Sequence, residues 1–214
     1  MRGMNRLSFL AALSIALTAA SAQARPSRIE EVDFRNFSYP FEAPAGREPF
    51  GRLGRVVRVR HGIAYADKVG QNVGYLYFKI AEVLYGDLTG DGRDEAAVVA
   101  IYGSASGDFF ITDTYVYTMR GRRPALLGVL RQGQVAGDYG RHSRDDPSYL
   151  FEAVAGGREI RGRKLAVTHF AGGAHCCPSS ILTLRYRLRG GRFVLAGRSS
   201  RKATEKDEKV LRPT

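Results

Sequence analysis

The chain has 214 residues, 33 of them lysine or arginine against 21 aspartate or glutamate, and a net charge of +12. This length allows one domain with a substantial core, or at most two very small ones, and one is favoured. The charge suits a polyanionic neighbour such as nucleic acid, an anionic membrane surface or an acidic envelope polymer, although the excess of arginine over lysine is also what a coding bias would leave.

Met1 to Arg6 is basic and free of acids, and Leu7 to Ala20 is apolar apart from Ser8, Ser14 and Thr18. Residues 1–24 therefore read as a secretory signal peptide. Ala20-Ser21-Ala22 and Ala22-Gln23-Ala24 are both cleavage sites of the A-x-A kind, and the following Arg25-Pro26 favours the second. The apolar run falls short of the ~20 residues of a spanning helix, and no later segment is longer. Neither cysteine lies beside the cleavage site, as a lipid anchor would require. Cleavage removes Arg2 and Arg6 and no acid, leaving +10. The expected location is periplasmic or secreted, with no transmembrane segment after cleavage.

Residues 25–54 contain Pro26, Pro40, Pro44 and Pro49 among scattered aromatics, which predicts an irregular packed arm and not a helix. Period two takes over from there to residue 200. Gly74 to Tyr85 reads as a strand whose apolar parity is interrupted at Glu82. Ala96 to Tyr102 is apolar throughout, as in a central strand covered on both faces. From Phe109 to Met119, Ile111, Tyr115, Tyr117 and Met119 share one parity against Thr112, Thr114, Val116 and Thr118, the pattern of a half-buried strand. Leu182, Leu184, Tyr186 and Leu188 alternate with Thr183, Arg185 and Arg187 in the same way.

Three hairpins of one design are predicted around glycine turns: Tyr117 to Leu127 on Gly121, Glu159 to Val167 on Gly162, and Tyr186 to Val194 on Gly190-Gly191. All three put arginines at their tips. If the tips lie together they make a cationic edge; otherwise they are solvated turns. Gln132 to Ser148 is expected as a long polar loop and residues 201–214 as a charged disordered tail. The expected fold is mainly β, a single antiparallel β-sheet domain built of hairpins, either a sandwich or a partly open barrel.

Between two of these strands lies Asp87-Leu88-Thr89-Gly90-Asp91-Gly92-Arg93-Asp94-Glu95, where oxygen-bearing side chains alternate with turn formers. Ca2+ takes about 6 to 8 oxygen ligands at roughly 2.3 to 2.6 Å, so a loop must aim several oxygens at one spot and turn sharply between them. The EF-hand pattern fits Asp87, Asp91 and Gly92 but finds Val98 in place of the closing glutamate, and the flanks read as strands. With Glu95 four residues after Asp91 and Ala96-Ala97-Val98-Val99 behind it, the segment Tyr85 to Val99 resembles the FG-GAP or VCBS-type calcium hairpin of β-propellers. That resemblance implies Ca2+ ligands from Asp87, Thr89, Asp91 and Glu95 and the Arg93 carbonyl, with Asp94 outside the site. The family usually has Asp or Asn where Thr89 stands, and a propeller needs at least four blades where this chain has one motif. The alternative is an Asp/Gly turn without metal.

Cys176-Cys177-Pro178 contains every cysteine of the chain. Adjacent Cα atoms stand about 3.8 Å apart across a trans peptide, below the ~4.4 to 6.8 Å usual for a disulfide, so a vicinal bridge would be strained. A vicinal disulfide, two buried thiols and an intermolecular pair all remain open. His169 and His175 flank the same loop, and sulfur with imidazole is a ligand set for Zn2+ or Cu+. Thr168-His169 with Cys176-Cys177-Pro178, the loop Gly86 to Gly92 and the early Val32 to Pro40 together resemble a group of exported bacterial proteins described as VCBS-containing. That resemblance implies no enzyme activity.

The chain has no serine nucleophile motif, no H-E-x-x-H, no phosphate-binding glycine loop and no tryptophan. Asp145, Asp146 and Glu152 would be the acids of a carboxylate hydrolase, but they stand in or beside a polar stretch where solvation is the plainer role. The first expectation is an exported non-enzymatic β-domain with a structural calcium site that binds an acidic envelope polymer or surface protein, nucleic acid being disfavoured. Its rival is a metal-binding or thiol-redox protein centred on His169, His175, Cys176 and Cys177.

Overall fold

The computed structural model describes residues 27–44, 48–66, 75–104, 110–140, 158–171 and 180–204. Residues 1–24, read above as a signal peptide, Asp145, Asp146, Glu152, His175, Cys176, Cys177 and residues 205–214 lie outside them, as does the side chain of His169. No helix among the described residues is long and apolar enough to cross a membrane.

The fold is mainly β, as the alternation predicts. Strands β3 (Ile63–Ala66), β4 (Leu76–Gly86), β5 (Glu95–Ser104), β6 (Phe110–Arg120) and β7 (Arg123–Leu130) form an antiparallel sheet in chain order. After helix α1 (Gln132–Gly140), strands β8 (Arg158–Ile160), β9 (Leu165–Ala171), β10 (Ser180–Arg189) and β11 (Arg192–Lys202) form a second meander. The sheets meet at both edges, β4 against β8 and β7 against β11. At the first edge a Cβ on Gly86 would stand 2.8 Å from Ile160 Cγ2, and at the second a Cβ on Gly128 would stand 2.5 Å from the Gly191 carbonyl. Glycine is what lets each pair of walls approach so closely. The result is a flattened, partly open barrel.

Inside it, Leu165, Val167, Leu184 and Tyr186 pack on Ala97, Val116 and Leu130. The other face of the five-stranded sheet carries Phe78, Ala96, Val98, Ala100, Tyr102, Tyr115 and Tyr117, and the N-terminal arm covers it. That arm holds three 3-10 turns, Ile29–Glu31, Phe34–Asn36 and Glu48–Leu53, and strand β1 (Ser38–Pro40), which pairs with β2 (Val56–Arg58). Tyr39 is fully buried, with ring centroids 5.6 Å from Phe78 and 5.4 Å from Tyr115; Phe41 sits 5.0 Å from Tyr102. Such edge-on aromatic contacts add to the large apolar area each ring buries. The arm is thus one wall of a core. For this reason β6, expected to be half-buried, is buried on both faces.

The parity break at Glu82 is a β-bulge. Ile80 pairs with Ala100 and Glu82 with Val99, leaving Ala81 extra. One inserted residue exchanges the two faces of a strand. Before it Leu76, Phe78 and Ile80 face the arm; after it Val83 does, while Leu84 turns to the barrel interior.

Two expectations change. Gln132–Gly140, read as loop, is helical although it contains three glycines. Its stripe Val135, Ala136 and Tyr139 packs on the barrel core, and the Asp113 carboxylate accepts the Gln132 N–H at 3.0 Å where the helix begins. Packing of one face supplies what intrinsic propensity lacks. Arg201 and Lys202, placed in the charged tail by the sequence, belong to β11, which continues to Lys202 in register with Ser180.

The meander sorts the connections between strands into two ends. At one end of the five-stranded sheet lie the acidic loop between β4 and β5 and the β6–β7 turn, with the β8–β9 turn against the acidic loop, while the β10–β11 turn lies against Leu127 and Gly128 of β7. At the other lie the strand termini Leu76, Ser104, Phe110, Arg158, Ala171 and Ser180.

Candidate functional site at the turn end

Glu95 is fully buried and is the hub of the acidic loop. Its Oε2 accepts the backbone N–H groups of Leu88 at 2.8 Å and Thr89 at 3.0 Å, and its Oε1 accepts the hydroxyls of Thr89 at 3.3 Å and Thr118 at 3.2 Å. Leu88, buried at 3 % exposure, plugs the loop into the barrel core. Asp87 accepts the N–H groups of Gly90 and Gly92, and Asp91 accepts that of Arg93 at 2.9 Å. Gly90 and Gly92 take φ values of +87° and +82°, which side-chain-bearing residues adopt at a cost.

Of the residues expected to hold Ca2+, the structure brings Asp87, Thr89, Asp91, Arg93 and Glu95 into one short loop. A carboxylate offers about four lone-pair positions. Glu95 has four donors on them, and the Thr89 hydroxyl is among those donors. Asp87 and Asp91 accept fewer bonds and keep free oxygen lone pairs, while Glu95 and Thr89 hold the loop. Among the described residues, no group of three or more His, Cys, Asp or Glu side chains is gathered closely enough to hold a metal ion.

Beside this loop stands the β8–β9 turn. Arg161 and Lys164 exchange backbone hydrogen bonds of 2.9 and 3.2 Å around Gly162 and Arg163, whose φ values are +53° and +63°. Positive φ at both central positions is the hairpin geometry that calls for Asn or Gly, yet position 163 carries arginine. Its guanidinium lies over the acidic loop: a Cβ on Gly90 would stand 2.8 Å from Arg163 Nη1. The tips of the other two hairpins add Arg120, Arg122 and Arg123, and Arg189 and Arg192, all exposed. Of these tips, the structure sets Arg163 against the acidic loop and the Gly190-Gly191 turn against Leu127 and Gly128 of β7. No salt bridge joins Arg120, Arg123, Arg163, Arg189 or Arg192 to a carboxylate among the described residues.

Sequence reasoning missed a second polar feature. Asp113 is 1 % exposed on the face of β6 that otherwise carries aromatics. Its Oδ2 accepts Arg131 Nη1 at 2.7 Å and the Tyr102 hydroxyl at 3.2 Å. Arg131 also reaches Glu42 of the arm at 3.6 Å. Burial works to lower the Arg131 pKa, but its hydrogen bond to Asp113 and that carboxylate's charge outweigh burial and hold it above the usual value. Burial and the adjacent Asp113 push the Tyr102 phenol up. The signal was a lone aspartate inside the aromatic parity of β6. This cluster binds strand, helix and arm together.

Comparison with known protein families, curated proteins and solved structures returns no match to this chain. What defines the candidate site is its own geometry: an acidic loop with the Arg163 turn set over it.

Proposed function

We propose that the chain is an exported, non-enzymatic β-domain that binds an anionic polymer of the cell envelope through the turns bearing Arg122, Arg163 and Arg192. A calcium ion on Asp87 and Asp91 completes the adjoining loop on this reading. One observation carries it: Arg163 occupies a left-handed turn position where glycine or asparagine costs less, with its guanidinium over the acidic loop. Backbone strain retained at a residue points to a use for its side chain. The ion's part would be to offset the crowding of Asp87, Asp91 and Asp94 next to the binding surface.

Two measurements test this. Retention of the chain from Arg25 onward on a polyuronate or heparin matrix should fall steeply with added salt, because exposed charge pairs are screened within about 10 Å at 0.1 M ionic strength. The triple variant Arg122→Ala, Arg163→Ala, Arg192→Ala should lose at least tenfold in affinity; unchanged retention would remove the polymer reading. Melting with calcium and with chelator tests the ion separately. A melting temperature indifferent to both, with Asp87→Asn behaving identically, would remove the calcium part alone.

A further inference from the structure

The barrel interior is apolar near the turn end and changes character toward the other. Thr112 and Thr114 share the inward face of β6 with Val116 and are 2 % and 1 % exposed, yet neither hydroxyl has a hydrogen-bond partner. Gln132, at the start of α1, spends its carbonyl oxygen on the Thr112 N–H and leaves its Nε2 buried and unpaired. On the facing wall, Arg158 pairs across to Val167 of the barrel core, so its side chain shares that inward face, and its Nε is also buried without a partner. Native interiors pair such groups almost without exception, because each one left unpaired forfeits its hydration.

The four groups have a common chemistry. The Gln132 amide nitrogen and the Arg158 Nε–H only donate, and threonine hydroxyls donate readily. Arg158 also brings a positive charge whose nearest carboxylate influences are Asp113, already paired to Arg131, and the exposed Glu82 at the rim. Asp138, buried on α1, has partners of its own. Among the described residues, donors and a cation thus share the inward side of β6, α1 and β8, and the mouths of β-barrels are favoured places for small ligands.

We propose that the interior between β6, α1 and β8 binds a small oxyanion, a carboxylate or phosphate group, through Thr112, Thr114, Gln132 and Arg158. This site is separate from the arginine-bearing turns and stands or falls apart from them. Binding would convert an isolated buried cation into a paired one, whereas the ligand-free fold carries Arg158 as a burden.

The test is thermal melting of the chain from Arg25 onward, titrated with inorganic phosphate and with acetate at constant ionic strength. At a hundred times the dissociation constant, one of them should raise the melting temperature saturably by roughly 5 to 10 °C. Arg158→Met should melt higher than the wild type without ligand and lose the response. Thr112→Val with Thr114→Val should also lose it, and if that double variant does not fold, Arg158→Met decides alone. The Arg122, Arg163, Arg192 alanine variant should respond as the wild type does. Indifference to both probes, which would leave ordered water as the only occupant, overturns the proposal. So does a response that survives in Arg158→Met or disappears in the turn variant.

Discussion

Arg163 leans on Gly90 across the gap between the two meanders, near enough that a Cβ on the glycine would meet the guanidinium at 2.8 Å. The contact joins the loop between β4 and β5 to the turn between β8 and β9. It brings the most acidic stretch of the described chain beside one of its basic tips.

Replacing Arg163 by glycine separates fold from binding. The φ of +63° costs an arginine roughly 1 kcal/mol that glycine avoids, so Arg163→Gly should unfold at higher urea than the wild type. Its retention on an anionic polymer should fall. A variant weaker in both respects would show that Arg163 serves the fold only.

Gly86→Ala forces a methyl group toward Ile160 Cγ2 and should cost about 1 to 3 kcal/mol in equilibrium unfolding, as other overpacked sites do. Ile160→Ala in the same chain should return part of this cost, so that the two changes are non-additive.

Glu95→Gln exchanges one of the two oxygens of the loop hub for a donor and turns it toward hydrogens already present. The expected loss is about 3 kcal/mol, read by denaturant unfolding, because buried N–H and O–H groups lose a charged acceptor. Asp94→Asn, which accepts none of these hub bonds, should change stability by less than about 0.5 kcal/mol.

Arg131→Met strands the Asp113 carboxylate in the core, and the expected loss is about 3 to 5 kcal/mol. Adding Asp113→Leu should recover much of it. A full loss in the double variant would mean that Tyr102 and Gln132 depend on Asp113 more than Arg131 does.

Acid sensitivity has a local source in the arm. The Asn36 side chain, and after it the N–H of Arg35, hold the Asp33 carboxyl below the usual range. A carboxyl depressed on folding adds stability above its unfolded pKa and gives it up as pH falls through the lower folded value. The Asp33 resonance should titrate below 3.8 in a pH series. Asp33→Ala should flatten the acid limb of the stability profile, and because Asn36 also accepts the His61 N–H at 2.9 Å, it should loosen the β2–β3 turn.

Much of the scaffold was legible in the residues. A continuous apolar run located β5, alternation located β6 and β10, glycine turns located the three hairpins, and the break at Glu82 marked the bulge at Ala81. The helix at Gln132–Gly140 was not legible, since three glycines mask a stripe that only the barrel core rewards. The acidic loop was legible as a turn with convergent oxygens, but the division of labour within it was not: Glu95 faces Thr118, which stands 23 residues away in sequence.

The sequence by itself determined where the chain extends, where it turns and which faces of its strands are apolar, because these follow from side chains one to four residues apart. Tertiary structure alone decided that the turn bearing Arg163 meets the acidic loop, that Asp113 meets Arg131, and that Thr112, Thr114 and Arg158 face the interior without hydrogen-bond partners among the described residues. Those relations depend on which wall each face meets once the meanders close edge to edge, and the close approaches at Gly86 and Gly128 set that closure.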